Sequence, residues 1–477
     1  MLGISAVIAA AMATPVTTMA RPGCDREAKC ISPAAEWQMY SDSAQTTGTP
    51  RVRWWTRLND PLLDSLVETG LQNNYDVVMA ARRINIARAQ LGAARAAYYP
   101  TIGISGGYNY GRESGLTASR HGQGHTNGYW DLGVTASWEI DVFGKITQQV
   151  KASKASVRVS RAESAGVEIS LQAQICQTYI DLRMNQAALA VTRAHAENQL
   201  KVLKIAEARF ETGLASMMDV NQAQETYYTT VSSIPMLENS INSDVNSLCV
   251  LVADDGPSLR SLLLKPAPMP EYIHTVNVGT PADLIRRRPD VAEAENNIDL
   301  YAAQLGVARS QWLPSLSVQA TAGTQAHDGR DLFKKDSFTF SVGPVLSWTV
   351  FDGFSRRYSN IEATQALRNA VDNYNLTVQT AISEVNDALS AYFANLRYIE
   401  SIEKACEASE NYDNRAVSNY KSGLSPFINV ADAQTAWLQN MNSLISARGN
   451  ALTALIVLYK ALGGGWDGDV DTDRDCR

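Results

Sequence analysis

The chain has 477 residues and a formal net charge of −7, so no basic field invites nucleic acid. The length suits two or three ordinary domains or one elongated one. After the N-terminus no run of about 18 apolar residues occurs, which argues against a membrane-spanning helix; a spanning β-barrel escapes that test, because its strands only alternate.

Residues 1–20, "MLGISAVIAAAMATPVTTMA", carry an apolar core at Leu2–Met12 and small residues, Thr18 and Ala20, where a cleavage site needs them. They read as an export signal, although no Lys or Arg precedes the apolar run. "RPGC" at 21–24 raises lipid attachment at Cys24; a lipobox has an aliphatic residue three positions before the Cys, and here Arg21 stands there. The six cysteines lack metal-ligand spacing. Cys176 and Cys406 fall inside helical patterns and read as buried thiols, while a Cys24–Cys30 bridge or a pairing with Cys476 stays open.

The chain repeats itself. The shift that lays Gly213 on Gly423 aligns "FETGLASMMDVNQAQ" (210–224) with "YKSGLSPFINVADAQ" (420–434), and "GVTASW" (133–138) with "GPVLSW" (343–348). A slightly larger shift aligns "AQLGAARAAYYP" (89–100) with "AQLGVARSQWLP" (303–314). Blocks that recur in one order indicate tandem copies of one unit. The expected repeats span 55–265 and 275–466, with a tail at 467–477.

Each unit opens with a helix, from Asp76 to Tyr99 in the first copy and over 290–312 in the second. Pro289 suits the first helical position and Asp290 the positive end of the helix dipole. Strands follow, at about 101–110 and 129–141, then at about 315–323 and 337–351. Ile102, Ile104, Tyr108 and Tyr110 share one face, as do Leu132, Val134, Ala136 and Trp138; the second copy repeats this with Phe338, Phe340, Val342 and Leu346. Such alternation fits a strand crossing an outer membrane, and equally a half-buried strand of a soluble sandwich.

Very long helices are predicted over 144–212 and 354–422. Between Gly353 and Gly423 there is no Gly or Pro, and apolar residues from Leu367 to Ile402 recur at steps of three and four, as in a coiled-coil seam. The first copy is interrupted only by Gly166. Gly213 and Gly423 then reverse the chain into return helices over 217–251 and 427–462, with Pro235 expected to break the first near Ser233. Two units supply four strands, too few to close a barrel, and open edges are not tolerated in hydrocarbon. Closure therefore requires association: two copies pool eight strands, which arithmetic allows, and three pool twelve, which leaves an open lumen.

"RRRPDVAEAENNIDLYAAQLGVARSQWLPSLSV" (286–318), "YKSGLSPFINVADAQTAW" (420–437) and "LGGGW" (462–466) resemble the outer membrane efflux protein family, in particular the NodT subgroup of TolC-like outer membrane factors of resistance-nodulation-division pumps. The resemblance covers about 55–466. It implies an α+β membrane protein: a homotrimer with a twelve-stranded β-barrel in the outer membrane, continued by a long α-helical tunnel in the periplasm. It implies a passive exit duct that carries drugs or other small toxic compounds outward, opens by untwisting of its tip helices, and meets a periplasmic adaptor and an inner-membrane pump. Members of the subgroup are commonly lipoproteins, which bears on Cys24.

The resemblance also places function at the two turns. Gly213, Leu214, Gly423, Leu424, Ser425 and Pro426 become adaptor-contact candidates. Asp432, with Ile428 one turn earlier, becomes the pore constriction, where three carboxylates around an axis repel one another and bind cations. Some members carry an Arg three residues after this Asp; here Thr435 stands there. Asp219 is a further gate candidate, but its place beside the first tip better suits a carboxylate on a helix N-terminus. No catalytic constellation, cofactor motif or metal set is visible, and His121 and His125 read as an exposed loop between the first two strands. Two alternatives are a duct serving a protein secretion (type I) system and, of another class, a soluble coiled-coil scaffold.

Overall fold

The computed structural model describes residues 44–45, 53–112, 126–271, 276–277 and 287–466; the expected export signal, Cys24, His121 and His125 lie outside them. In chain order the elements are α1 (Pro61–Asn73), α2 (Tyr75–Ala96), β1 (Thr101–Arg112), β2 (Thr126–Ile140), α3 (Lys145–Glu211), α4 (Met217–Val252) and α5 (Pro257–Leu263). The second half adds α6 (Pro289–Ser310), β3 (Ser315–Ala326), β4 (Phe338–Ser347), α7 (Ser355–Lys421) and α8 (Ile428–Ala461). A two-residue parallel bridge joins Ala44–Gln45 to Val276–Asn277. The series α2-β1-β2-α3-α4 thus recurs as α6-β3-β4-α7-α8.

Local chemistry sets the helix starts. Asp60 caps α1 by accepting from the backbone N–H groups of Leu62 and Leu63, with Pro61 at the first helical position. Asn74 caps α2 through the N–H of Asp76 and donates its Nδ2 to the Leu251 carbonyl at 2.8 Å. Helices α3 and α7 each run 67 residues, on the order of 100 Å. Along α7, Val378, Val385, Leu389 and Ile399 of the apolar stripe are buried.

One expectation fails. Pro235 lies inside an unbroken α4 rather than ending it. The proline is exposed, so the carbonyl that loses its helical partner is on the side open to water, and packing of the opposite face against α3 carries the helix through. Gly166 likewise leaves α3 continuous.

The two expected hairpins fuse into one antiparallel sheet of order β1-β2-β3-β4, joined across the repeats where β2 meets β3, for example Trp138 opposite Val318. The register aligns Ile104 with Val134, Val134 with Ala322, and Ala322 with Phe340. Residues directly opposite share a face. One face is therefore apolar and aromatic; the other carries Gly103, Ser105, Asn109, Thr135, Ser137, Gln319, Thr321 and Ser341. No described side chain of the four strands is buried, and β1 and β4 are open edges.

The main core lies partway along the long helices. Trp54, Leu63, Val67, Ile175, Tyr179, Leu248, Val291, Val385, Tyr392, Leu455 and Leu458 belong to it. Two sequence motifs meet there. Buried Arg288 donates to the Ala461 carbonyl at 3.0 Å and pairs with Asp290 and Glu384 at 2.7 Å each. Gly463 follows with a φ of 69°, and a Cβ there would sit 2.9 Å from the Arg287 carbonyl oxygen. Only glycine satisfies both the turn and the approach. "RRRPDV" and "LGGGW" are thus two halves of one joint.

Candidate functional site

The two chain reversals share one geometry. Gly213 and Gly423 adopt φ of 74° and 73°. Gly213 N–H donates to the Phe210 carbonyl and Leu214 N–H to the Arg209 carbonyl; Gly423 and Leu424 do the same toward Tyr420 and Asn419. Each is a Schellman motif, which satisfies the last carbonyls of a long helix and needs a left-handed residue at its turn. Leu214 and Leu424 project from these turns, 70% and 78% exposed.

The return helices begin differently. Ser216 and Asp219 form a capping box at the start of α4: Ser216 Oγ accepts from the Asp219 N–H, and the Asp219 carboxylate accepts from the Ser216 N–H. The carboxylate offered as a gate candidate is therefore engaged by the backbone of its own turn. At the second tip, Ser425 Oγ accepts from Asn429 Nδ2 at 2.7 Å, and no side chain caps α8. Phe427 is buried, whereas Ile428 and Asp432 lie one turn apart on an exposed face, with Thr435 beyond them.

Both tips close over one apolar cluster. Val202, Leu203 and Ala206 of α3, Val220 and Ala223 of α4, Ala416 and Tyr420 of α7, and Phe427, Val430 and Ala433 near the start of α8 all contribute. One side chain links its rim. The Arg209 guanidinium donates to the carbonyls of Tyr420 and Lys421, on the other hairpin, and to that of Leu214 on its own. It also lies 4.8 Å from the Tyr420 ring centre, and that ring meets Phe427 edge-on at 5.3 Å. A cation on the final carbonyls of α7 complements the negative end of that helix dipole. Burial lifts the Tyr420 hydroxyl above its ordinary range; nearby Asp219 adds to the rise and Arg209 opposes it. The shift that aligns the two tips puts Asn419 in the place of Arg209, so the clasp exists in one direction only.

Further from the tips, His195 of α3 stacks on Trp437 of α8 at 4.9 Å and is buried, with no partner for Nε2. Burial pulls its pKa down to about 4, and a backbone hydrogen bond with Gln434 opposes that. Sequence reasoning missed Arg209, Tyr420, Phe427, His195 and Trp437. A basic residue in the last turn of a helix was the available signal for Arg209, but its acceptors lie on the other repeat. Among the described residues no His, Cys, Asp and Glu converge as a group able to hold a metal ion.

Comparison with known proteins agrees with this architecture. Residues 66–253 and 280–464 match the family of outer membrane efflux proteins. The chain is 28% identical over 462 residues to the antibiotic efflux pump outer membrane protein ArpC of Pseudomonas putida, covering 94% of each. It is 27% identical over 416 residues to nodulation protein T of Rhizobium leguminosarum bv. trifolii, covering 87% of this chain and 88% of that protein. Among solved structures, the outer-membrane channel OprN superposes with a TM-score of 0.84 at 26% identity, over 91% of this chain and 98% of that one. The CmeC outer membrane channel of Campylobacter jejuni has the same fold, with a TM-score of 0.85 at 21% identity over 94% and 96%. The match to the family spans both repeats, and the chain belongs to the outer membrane efflux proteins.

Proposed function

We propose that this chain is one third of a trimeric exit duct: three copies pool their sheets into a twelve-stranded barrel in the outer membrane, and their helical hairpins extend it through the periplasm. The observation that carries the reading is the open sheet. It presents one continuous apolar face and two unpaired edges, and hydrocarbon tolerates a sheet only when it is closed. Four strands do not close, and twelve leave a lumen lined by the Gly, Ser, Thr and Gln of the polar face.

On this reading the segments 55–265 and 275–466 are the two repeats, and the tips at Gly213 and Gly423 ring the periplasmic mouth. Exposed Leu214 and Leu424, with Ser425 and Pro426, meet a periplasmic adaptor, which connects the duct to an inner-membrane pump of the resistance-nodulation-division type. Ile428 and Asp432 face the constriction, Asp432 as one of three carboxylates. The cargo class follows the relatives, which include proteins named for efflux of antibiotics and of toluene: small toxic compounds, carried without chemistry on them.

Purification from outer membranes, with mass determination and conductance measurement in planar bilayers, tests the proposal. A trimer that conducts is expected, and Asp432→Ala should raise conductance while weakening block by divalent cations. A stable monomer in detergent-free buffer, with no conductance, overturns it.

A further inference from the structure

The helices leave a groove of about 710 Å³ between α4 and α8, floored by α3. Its α8 wall carries Thr435, Gln439, Asn442 and Ser446. These residues recur at steps of three and four and extend the line of Ile428 and Asp432, so all share one face of the helix. Val430, Ala433 and Leu444, on the other side of α8, are buried. The groove therefore opens on the same side as the constriction candidates. It begins one turn beyond Asp432 and reaches Ser446, a rise of about 20 Å.

The lining is rich in acceptors. A hydroxyl has one proton and two lone pairs, and here the protons are spent on the helices themselves. Thr226 donates to the Gln222 carbonyl at 2.9 Å, Thr230 to Thr226 at 3.1 Å, Ser233 to Thr230 at 2.7 Å, and Thr435 to Ala431 at 2.8 Å. Their oxygens keep lone pairs. Two amides add to this: Gln199, 3% exposed on the α3 floor, and Asn442 each hold a buried side-chain oxygen with no hydrogen-bond partner. A buried acceptor left unmatched is costly, so each calls for a donor. Among the described residues of the lining, Glu225 alone is charged, and it is exposed. Met236, Leu438 and Ile445 supply apolar wall between these groups.

We infer that this groove is a resting site for amphiphilic ammonium compounds inside the duct. The ammonium N–H groups meet the acceptor oxygens, Glu225 balances the charge, and the apolar body lies against Met236, Leu438 and Ile445. An anion of the same shape meets a carboxylate and lone pairs, and is refused. Binding is weak, because an exposed carboxylate gives little net attraction, and a conducting path needs sites that release what they hold. The inference rests on the reading in which Asp432 faces the axis of the duct, which places the groove on the lumen side.

The test uses the full chain in planar bilayers, with potassium chloride carrying the current and phenethylammonium as the probe. The probe is expected to reduce the current in a saturable way. Glu225→Gln should raise the half-blocking concentration about two- to five-fold, the range that one exposed ion pair gives, and the shift should persist beside Asp432→Ala. Thr229→Trp keeps Glu225 but fills the groove, since Thr229 is an exposed part of its α4 wall; it should weaken block while the probe-free current persists. Hydrocinnamate, similar in shape and opposite in charge, should not block, and methylammonium, which lacks the ring, should block far less. Equal block by the anion overturns the site, and so does a half-blocking concentration unchanged by both Glu225→Gln and Thr229→Trp. Block that Asp432→Ala alone abolishes overturns it too, because the probe then sits at the constriction. Channels that conduct and ignore the probe remove the groove alone, whereas a chain that forms no channel removes the duct reading and the groove with it.

Discussion

The sheet and the helices of this chain are finished by different means. The helices enclose their own cores: Tyr179, Leu248, Tyr392 and Leu458 are fully or almost fully buried within one protomer. The sheet encloses nothing. Ile104, Phe340 and Val342 are 79%, 74% and 68% exposed, although they sit on the apolar side of a continuous ladder. A water-soluble sandwich would cover that side with its own chain. In the proposed duct lipid covers it, so that the same hydrophobicity specifies a fold in one region and an environment in the other.

The comparison can be broken by cutting into each region. Leu458→Ala in the helical core should cost about 2–5 kcal/mol through lost contacts and a residual cavity, lowering the thermal midpoint wherever the protein is measured. Val134→Arg on the apolar face should cost about 2–4 kcal/mol near the bilayer midplane, and only when the protein inserts. Membrane fractionation should show less Val134→Arg in the outer membrane, with helical content unchanged. Equal tolerance of Val134→Arg and of Thr135→Arg on the polar face would remove the distinction between the two faces.

Acid sharpens the comparison from the helical side. The folded pKa of His195, about 4, lies below its ordinary value of 6.5. Between these values the unfolded chain binds a proton that the folded chain excludes, so the contribution is intact above pH 6.5 and is lost as pH falls toward 4. The full loss is about 3 kcal/mol by the conversion of pKa difference to free energy. Glu168, Asp181 and Asp413, whose carboxyl pKa values burial raises, act in the opposite sense. The His195 part is therefore read as the difference between the native chain and His195→Phe in thermal midpoint across that range. Identical slopes would show that His195 is not protected from protons in the folded state.

The smallest effect concerns the tips. Arg209→Ala removes charge-assisted hydrogen bonds to the second hairpin, an effect of about 1.5–3 kcal/mol before solvent relieves the exposed carbonyls. Amide exchange should quicken around Tyr420 and Lys421 and stay unchanged near Trp54. Arg209→Lys should restore only part of the protection, because a point charge cannot fork to several carbonyls. Unaltered exchange at Tyr420 would reduce the clasp to a surface contact.

Much of the helical architecture was legible because its signals are local. Gly213 and Gly423 follow long segments of three-and-four spacing, and the structure turns at both. The strand alternation was equally plain, but its meaning was not, since period two serves a sandwich and a barrel alike. Pro235 misled because propensity counts a missing hydrogen bond without knowing that its partner carbonyl lies on the exposed side. Helices α1 and α5 went unnoticed, although α1 carries its cap and proline at Asp60–Pro61, a readable signal. Of the candidate site, the glycines and leucines of the tips were visible as a repeated motif. Arg209 on Tyr420 and His195 on Trp437 were not, because each contact joins different repeats.

By itself the sequence determined the duplication, the long helices, the glycine reversals and the alternating strands, all of which depend on neighbours a few residues apart. Only the tertiary structure decided that the two hairpins form one sheet through β2 and β3, that Arg288 ties α6 to the end of α8, and that one arginine clasps the other repeat's tip. Such contacts depend on how distant segments dock, and periodicity along the chain carries no record of which residues will meet across it.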